Sequence, residues 1–187
     1  MKIAVSGDIG SFSEEAGNAY AIRQGIKDYE LVYAIDMEGV LDRVEKNEVD
    51  LGVFPVVNSR GGLVQTAFEA MGRHNFILID ELWHEVCQCL MVKTGIKLEE
   101  ITKIVSHPQA LSQCERTLDK MLPGVKFQEW EDTAKAARDL SEGKLENTCA
   151  IVAPARAAEI YGLEILQRNI QDMRPNLTTF IIVKKEN

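Results

Sequence analysis

Short apolar runs alternate along this chain with segments whose apolar residues recur at helical spacing. The run at 51–56 is apolar at successive positions, as expected of a central strand with both faces buried. Within 37–46, apolar residues fall on one face of a helix. Ser11, with Glu14 three residues later, forms a capping-box pattern that predicts a helix over 11–24. Further strands are predicted at 2–5, 30–34, 76–79, 85–92, 101–105, 125–128, 149–152 and 179–183, and further helices at 64–71, 109–121, 133–142 and 155–161.

Alternating strands and helices of this kind predict an α/β architecture with mainly parallel sheets. The 187 residues, 45% of them hydrophobic, are enough to bury a full core. That length suits one large domain or two small lobes.

Charge and cysteine content narrow the classes of partner. The formal net charge is −8 and no Lys/Arg cluster stands out, which argues against nucleic acid or an anionic membrane. No apolar run approaches the ~20 residues of a membrane span, and the N-terminus lacks a signal-peptide pattern, so we expect no membrane and a cytoplasmic location. The four scattered cysteines do not match a disulfide scaffold or a metal site, and we expect reduced, mostly buried thiols at Cys87, Cys89, Cys114 and Cys149.

Four polar stretches lie where a predicted strand ends or a predicted helix begins, which is where α/β proteins bind ligands. The stretch 7–13 has glycines that would let backbone amides approach a carboxylate; a tight turn before a capped helix explains it equally well. The stretch 55–62 holds Asn58, which can donate and accept, and so suits a group that orients a hydroxyl or a water. The alternative for Asn58 is a turn in which it bonds its own backbone.

The third stretch, 106–114, joins a strand end to a helix. Pro108 suits the first turn of that helix, which leaves Ser106 or His107 near its cap. Gln109 and Gln113 then lie one turn apart on one helix face. His107 is either a ligand contact or a structural hydrogen-bond partner.

The fourth stretch, 176–180, places the hydroxyl of Thr178 at the start of a strand and Phe180 as an apolar wall. Its Asn-x-Thr-x-Phe pattern resembles the Asn-x-Thr-Arg-Phe motif of prephenate dehydratases. Further motifs match that family in order and roughly in spacing, so the chain resembles its catalytic domain essentially end to end. They are Gly-Ser-Phe-Ser at 10–13, Pro-x-x-Asn-Ser at 55–59, Ser-His-Pro-Gln at 106–109 with Gln113-Cys114, and Tyr-Gly-Leu at 161–163.

The resemblance implies a fold of two α/β lobes around a cleft, like a type 2 periplasmic binding protein. One lobe would hold residues 1–78 and 167–187, and the other residues 79–166. It also implies a homodimer or homotetramer. Family members commonly continue into a regulatory domain that senses phenylalanine, and we expect none within these 187 residues.

The reaction implied by the resemblance is an elimination in which prephenate loses its ring carboxylate as CO2 and its ring hydroxyl as water, giving phenylpyruvate in phenylalanine biosynthesis. Aromatisation drives the reaction, so no metal or organic cofactor is expected. The protein would orient the dianion, assist departure of the hydroxyl and exclude bulk water. Arogenate stays open as an alternative substrate.

The resemblance also assigns roles to individual residues. Thr178 would be the catalytic hydroxyl, hydrogen-bonding the leaving oxygen, with Asn58 beside it. Ser11 and nearby amides would hold a carboxylate. The other residues expected to contact substrate are Ser59, His107, Gln109, Gln113, Asn176, Thr179 and Phe180.

Two positions depart from the family pattern. Val57 stands where the family usually has Glu, and Thr179 stands where it usually has Arg. One hypothesis is that these opposite charges pair in typical members, so that losing both is milder than losing one. The other is that the arginine binds a substrate carboxylate. Substitutes for it would be Arg60, His84, His107 and Arg174.

Three function classes follow. The first is a prephenate dehydratase. The second is a sister enzyme that decarboxylates prephenate without aromatising it, and the third is a non-catalytic descendant that binds ligand with the same fold.

Overall fold

The computed structural model of the chain describes residues 1–186, which divide into two compact units. Unit 1 contains Met1–Glu85 and the chain from Leu177 onward, and unit 2 contains Val86–Asn176. The chain therefore leaves unit 1 after residue 85 and returns to it at residue 177.

Unit 1 is built on a sheet whose strand order is β2-β1-β3-β11-β5, with the short β4 paired to β3. Strand β1 pairs in parallel with β2 and β3, whereas β11 runs antiparallel to both β3 and β5. Numbered in chain order, the elements are β1 Lys2–Ser6, α1 Phe12–Arg23, β2 Glu30–Ala34, α2 Met37–Glu45, β3 Leu51–Asn58, β4 Gly62–Leu63, α3 Gln65–Met71, β5 Phe76–Glu85 and β11 Leu177–Lys185.

Unit 2 has a second sheet, ordered β10-β6-β9-β7-β8. Strand β7 is parallel to β8 and β9, while β6 is antiparallel to β9 and β10. The elements are β6 Gln88–Lys93, a 3-10 turn at Leu98–Glu100, β7 Lys103–Ser106, α4 Pro108–Met121, β8 Lys126–Glu129, α5 Thr133–Ser141, β9 Cys149–Pro154, α6 Ala155–Tyr161 and β10 Leu163–Arg168.

The predicted α/β class is confirmed, but both sheets are mixed rather than mainly parallel. In unit 1, β11 returns from the far end of the chain and enters the sheet against the direction of β3. In unit 2, β6 runs antiparallel to both β9 and β10. A run of apolar residues marks a strand without giving its direction, so the sequence did not distinguish the two arrangements.

The unit boundaries lie later in the chain than the predicted breaks after 78 and 166. Strand β5 does not stop near residue 79, because it stays paired with β11 as far as Glu85. Strand β10 was not predicted, and it pairs with β6 inside unit 2. Both differences come from strand pairing between segments distant in sequence.

Apolar side chains cover both faces of the sheet in unit 1. Helix α1 packs with Phe180 and Ile182 on one face, and α2 packs with Ile181 and Val183 on the other. Gly52 allows the close approach of α2, since a Cβ there would lie 2.7 Å from Val40 Cγ1. Unit 2 has two apolar clusters that contain residues of β6, β7 and β9. One includes residues of α5 and α6, and the other includes residues of α4.

The cysteine prediction is confirmed: none of the four forms a disulfide, and three of them are buried. Burial raises the pKa of the Cys114 thiol well above its ordinary value, which keeps it protonated and unreactive. Among the helices described, none is both long and apolar enough to cross a membrane.

A charged cluster ties α2 to the segment that follows α3. The His74 ring bonds Glu45 Oε2 through Nδ1 at 2.8 Å and Glu38 Oε1 through Nε2 at 2.9 Å. Burial opposes the charged ring, but the two carboxylates outweigh it and raise the pKa of His74. Hydrogen bonds from Arg73 and then His74 lower the pKa of Glu38 to about 2.

These shifts predict how the cluster contributes to stability. Because the folded-state pKa of His74 is raised, its contribution is complete below the ordinary value of 6.5 and is lost as the pH rises through the folded-state pKa. We therefore expect the difference in unfolding free energy between wild type and His74→Gln to shrink between pH 6 and pH 9. Urea denaturation across that range measures it, and a difference that grows with pH would contradict the assignment.

Candidate active site

One edge of the sheet in unit 1 collects most of the candidate residues. The carboxyl ends of β1, β3 and β5 and the start of the antiparallel β11 all lie at this edge. Asn58 ends β3, Thr178 follows the first residue of β11, and Ser11 begins α1 after the turn that leaves β1. The sheet therefore brings together residues that are more than a hundred positions apart in the chain.

Asn58 and Thr178 form a direct hydrogen bond at this edge. They are register partners on neighbouring strands, and Asn58 Nδ2 donates to Thr178 Oγ1 at 2.8 Å. Asn58 Oδ1 accepts from the backbone N–H of Arg60 at 2.9 Å and of Gly61 at 2.7 Å, which fixes the amide orientation. Because Thr178 Oγ1 accepts from Asn58, the threonine hydroxyl can donate its own hydrogen elsewhere.

Asn58 makes both kinds of hydrogen bond that the sequence suggested, one to a hydroxyl and others within its own turn. Its oxygen closes a turn onto its own segment, and its nitrogen orients the Thr178 hydroxyl. Both side chains are buried, with Asn58 4% exposed and Thr178 6% exposed. A buried, fixed hydroxyl of this kind costs little reorganisation when it donates to a developing negative charge.

Ser59 attaches the loop after β3 to the start of β11. Its backbone N–H donates to the carbonyl of Leu177 at 2.7 Å, and its Oγ accepts from the Leu177 N–H at 2.9 Å. These bonds hold the residue next to Thr178 in place. The structure thus gives Ser59 a positioning role, and contact with substrate stays a prediction.

Val57 and Thr179 lie directly opposite each other on β3 and β11. Thr179 is on the face opposite Thr178, since neighbouring residues of a strand alternate between faces. Its side chain is buried, and Oγ1 has no hydrogen-bond partner among the described residues. Cross-strand partners bring Cβ atoms within about 5.5 Å, so charges at these two positions would be close enough to pair.

Phe180 and Ser11 both have structural roles in unit 1. Phe180 is 1% exposed and belongs to the apolar core that includes α1, so the predicted apolar wall is a core side chain. Ser11 is the N-cap of α1, and its Oγ accepts from the Glu14 N–H at 3.3 Å, as its capping pattern predicted. Its predicted bond to a substrate carboxylate stays a prediction.

A histidine and a glutamate at the same edge were not assigned to the site from sequence. His84 on β5 is the register partner of Thr178, on the side opposite Asn58. His84 Nε2 bonds Glu15 Oε2 on α1 at 2.9 Å. The sequence suggested His84 only as a substitute cation, and Glu15 gave no signal because it lies in a plain helical segment. Side chains alternate between the two faces of β5, so the register with β11 would have placed His84 on the same face as Thr178.

The remaining candidates belong to unit 2. His107 caps α4, with Nδ1 accepting from the Gln109 N–H at 3.2 Å, and burial lowers the pKa of its imidazole. Asn176 Nδ2 donates to Gln113 Oε1 at 2.8 Å, and Asn176 is 1% exposed. These bonds link His107 to its own helix and Asn176 to Gln113 within unit 2. Their contacts with substrate, and that of Gln109, stay predictions.

Among residues 1–186, no group of three or more His, Cys, Asp or Glu side chains could hold a metal ion. The side chains described at the edge of unit 1 include hydrogen-bond donors and acceptors, among them Asn58, Thr178 and His84.

The family model for prephenate dehydratase matches residues 3–187 of the chain. The chain belongs to the prephenate dehydratase family. Arogenate dehydratase/prephenate dehydratase 6 of Arabidopsis thaliana is 38% identical over 187 residues, covering 100% of this chain and 44% of the relative. That relative is chloroplastic, which differs from the cytoplasmic location predicted from the sequence.

Solved structures agree with the family and with the predicted fold. Prephenate dehydratase from Arthrobacter aurescens, solved in complex with L-Phe, has a TM-score of 0.85 and 26% identity, covering 100% of this chain and 61% of that one. A periplasmic substrate-binding protein of an ABC transporter from Coxiella burnetii has a TM-score of 0.52 at 14% identity, covering 99% of this chain and 84% of that one, and it shows similarity of fold alone. The chain spans less than half the length of the Arabidopsis relative described above.

The opposed positions 57 and 179 generate a stability prediction. Thr179→Arg alone places a charge in a buried position and should lower the unfolding free energy by about 3–5 kcal/mol. Adding Val57→Glu supplies an opposite charge on the neighbouring strand, so the double variant should be more stable than Thr179→Arg alone. Denaturant unfolding of wild type, both single variants and the double variant measures the coupling. Additive losses would show that the two positions do not support a charge pair.

Proposed function

We propose that the chain catalyses the decarboxylating dehydration of prephenate to phenylpyruvate. The observation that carries the proposal is the hydrogen bond from Asn58 Nδ2 to Thr178 Oγ1, 2.8 Å long, at the ligand-binding edge of an α/β sheet. Membership of the family supports the class of reaction. The hydrogen bond fixes the position of the Thr178 hydroxyl, which can then act as a donor in that reaction.

In this proposal Thr178 donates its hydroxyl hydrogen to the departing ring oxygen. Loss of hydroxide from a neutral carbon leaves negative charge on that oxygen, so a donor that strengthens its bond as the charge develops lowers the barrier. Asn58 keeps the threonine oxygen as an acceptor, and the Arg60 and Gly61 amides keep Asn58 in that orientation. Burial of both side chains reduces competition from water.

Prephenate and arogenate differ at the side chain, where one carries a keto oxygen and the other an amino group. The curated relative carries both activities in its name. The proposed chemistry acts at the ring, which the two molecules share. We propose prephenate as the substrate because the family model is that of prephenate dehydratase, with arogenate as the competing substrate to be assayed beside it.

The replaced residues at 57 and 179 favour one further candidate. A family member that lacks the usual arginine could retain ligand binding and lose turnover, as in a non-catalytic descendant. A decarboxylase that does not aromatise prephenate is the other alternative. Phenylpyruvate has ultraviolet absorption and a mass that separate dehydration from both outcomes.

The experiment compares two neighbouring threonines. Wild type, Thr178→Val and Thr179→Val are incubated with prephenate and, separately, with arogenate, and the products are followed by ultraviolet absorption and mass. Valine keeps the shape of threonine and removes the hydroxyl. We expect Thr178→Val to lower kcat by about 10²–10³-fold, because one preformed donor to a developing oxyanion is lost.

Thr179→Val is the matched control. The sequence predicted a substrate contact for Thr179, but its hydroxyl lies on the face of β11 opposite Thr178 and has no hydrogen-bond partner among residues 1–186. We therefore expect kcat within about twofold of wild type and no loss of stability, and a larger fall in kcat would support the predicted contact instead. Equal activity of Thr178→Val and wild type would contradict the role of Thr178. Calorimetric binding of prephenate without product from wild type would favour the non-catalytic descendant.

A further inference from the structure

His84, Thr178 and Asn58 occupy adjacent strands in one row. Strand β11 lies between β3 and β5, and Thr178 is the register partner of Asn58 on one side and of His84 on the other. Side chains of directly opposed residues point to the same face, with Cβ atoms about 4.5–5.5 Å apart. The catalytic hydroxyl of the proposed function therefore has an amide on one side and an imidazole on the other.

The imidazole is held in place by two contacts. Its Nε2 bonds Glu15 Oε2 at 2.9 Å, and its ring meets the Phe180 ring edge-on, with centroids 6.3 Å apart and planes at 80°. A carboxylate can only accept, so Nε2 carries the hydrogen of that bond and Nδ1 is the nitrogen left for other chemistry.

The proposed reaction consumes one proton. The electron pair of the bond between the ring and its carboxylate enters the ring as CO2 departs, the bond between the ring and the hydroxyl oxygen breaks, and that oxygen leaves as water once it has gained a proton. Thr178 can pass on its hydroxyl hydrogen, but a threonine of ordinary acidity must take a proton from a neighbour in the same step.

We infer that His84, oriented by Glu15, is this neighbour and resupplies the proton that Thr178 gives to the leaving oxygen. The inference rests on the proposed function. In the step, Nδ1–H of the protonated imidazole gives its proton to Thr178 Oγ1 while the threonine hydrogen moves to the leaving oxygen. The neutral imidazole then regains a proton from solvent. His84 acts through Thr178 and is a positioning and relay residue.

The charged groups around His84 fit this role. Helix α1 contributes Glu15, the buried Glu14, which accepts from the Gly10 N–H, and, further along, Arg23, which is paired with Asp80 of β5 at 2.6 Å. Strand β11 contributes no charged side chain between Leu177 and Val183. On its own strand, His84 is followed by the exposed Glu85. Glu15 is thus the carboxylate hydrogen-bonded to the ring.

The test measures kcat and KM for prephenate from pH 5 to pH 9 in wild type, His84→Gln, Glu15→Gln and the control His74→Gln. The control removes the other histidine of unit 1, whose contacts are with Glu38 and Glu45. In wild type, kcat should fall as the pH rises, because a neutral imidazole has no proton to give.

We expect His84→Gln to lower kcat by about 10²-fold at pH 6, to change KM little, and to abolish the dependence of kcat on pH. Glu15→Gln should lower kcat with little change in KM, because the imidazole loses the carboxylate that orients it. His74→Gln should match wild type. If His84→Gln does not fold, His84→Ala assayed with added imidazole replaces it, and rescue of kcat by imidazole is the expected result.

Two outcomes overturn the inference in distinguishable ways. In the first outcome, wild type turns over prephenate, and His84→Gln either has the same dependence of kcat on pH or differs only by a higher KM. That result overturns the relay and leaves the proposed function standing. Wild type that converts neither prephenate nor arogenate overturns the proposed function and the relay together.

Discussion

The antiparallel insertion of β11 between β3 and β5 is the constraint on which the rest of unit 1 depends. Its two ladders fix which residues face each other, and a slip of one residue would exchange the faces of the sheet. The register with β3 shifts between Thr179 and Phe180, where Pro55 cannot donate to the ladder. Such bulges re-aim side chains next to active sites. Here, Phe180 beyond the bulge packs in the core, while Thr178 before it meets Asn58.

The same register determines where charge lies near the hydroxyl. Val57 and Thr179 are opposed on one face, and Asn58, Thr178 and His84 form a row on the other. The positions at which the family usually has Glu and Arg are thus neighbours in space, as the charge-pair hypothesis requires. In this chain, neutral side chains fill that pair, and the ionisable pair at the edge is His84 with Glu15.

Local patterns predicted the local features of this molecule. The alternation of apolar runs indicated the α/β class, the Ser11 pattern predicted the start of α1, and motif resemblance identified Asn58 and Thr178. Strand direction, the extension of β5 to Glu85 and the pairing of β10 depend on contacts between distant segments, and a single sequence does not display them. Long-range contacts also explain why Glu15 gave no signal in the sequence, since its partner His84 lies 69 positions away in the chain.

The central claim is that Asn58 and Thr178 act as one unit, and a double-mutant cycle on kcat/KM tests it most directly. Rates of phenylpyruvate formation from prephenate are measured for wild type, Asn58→Ala, Thr178→Val and the double variant. Because Asn58 acts by orienting the Thr178 hydroxyl, the double variant should be no slower than Thr178→Val alone, so the losses are strongly non-additive. Losses that multiply in the double variant would show two independent contributions and contradict the account.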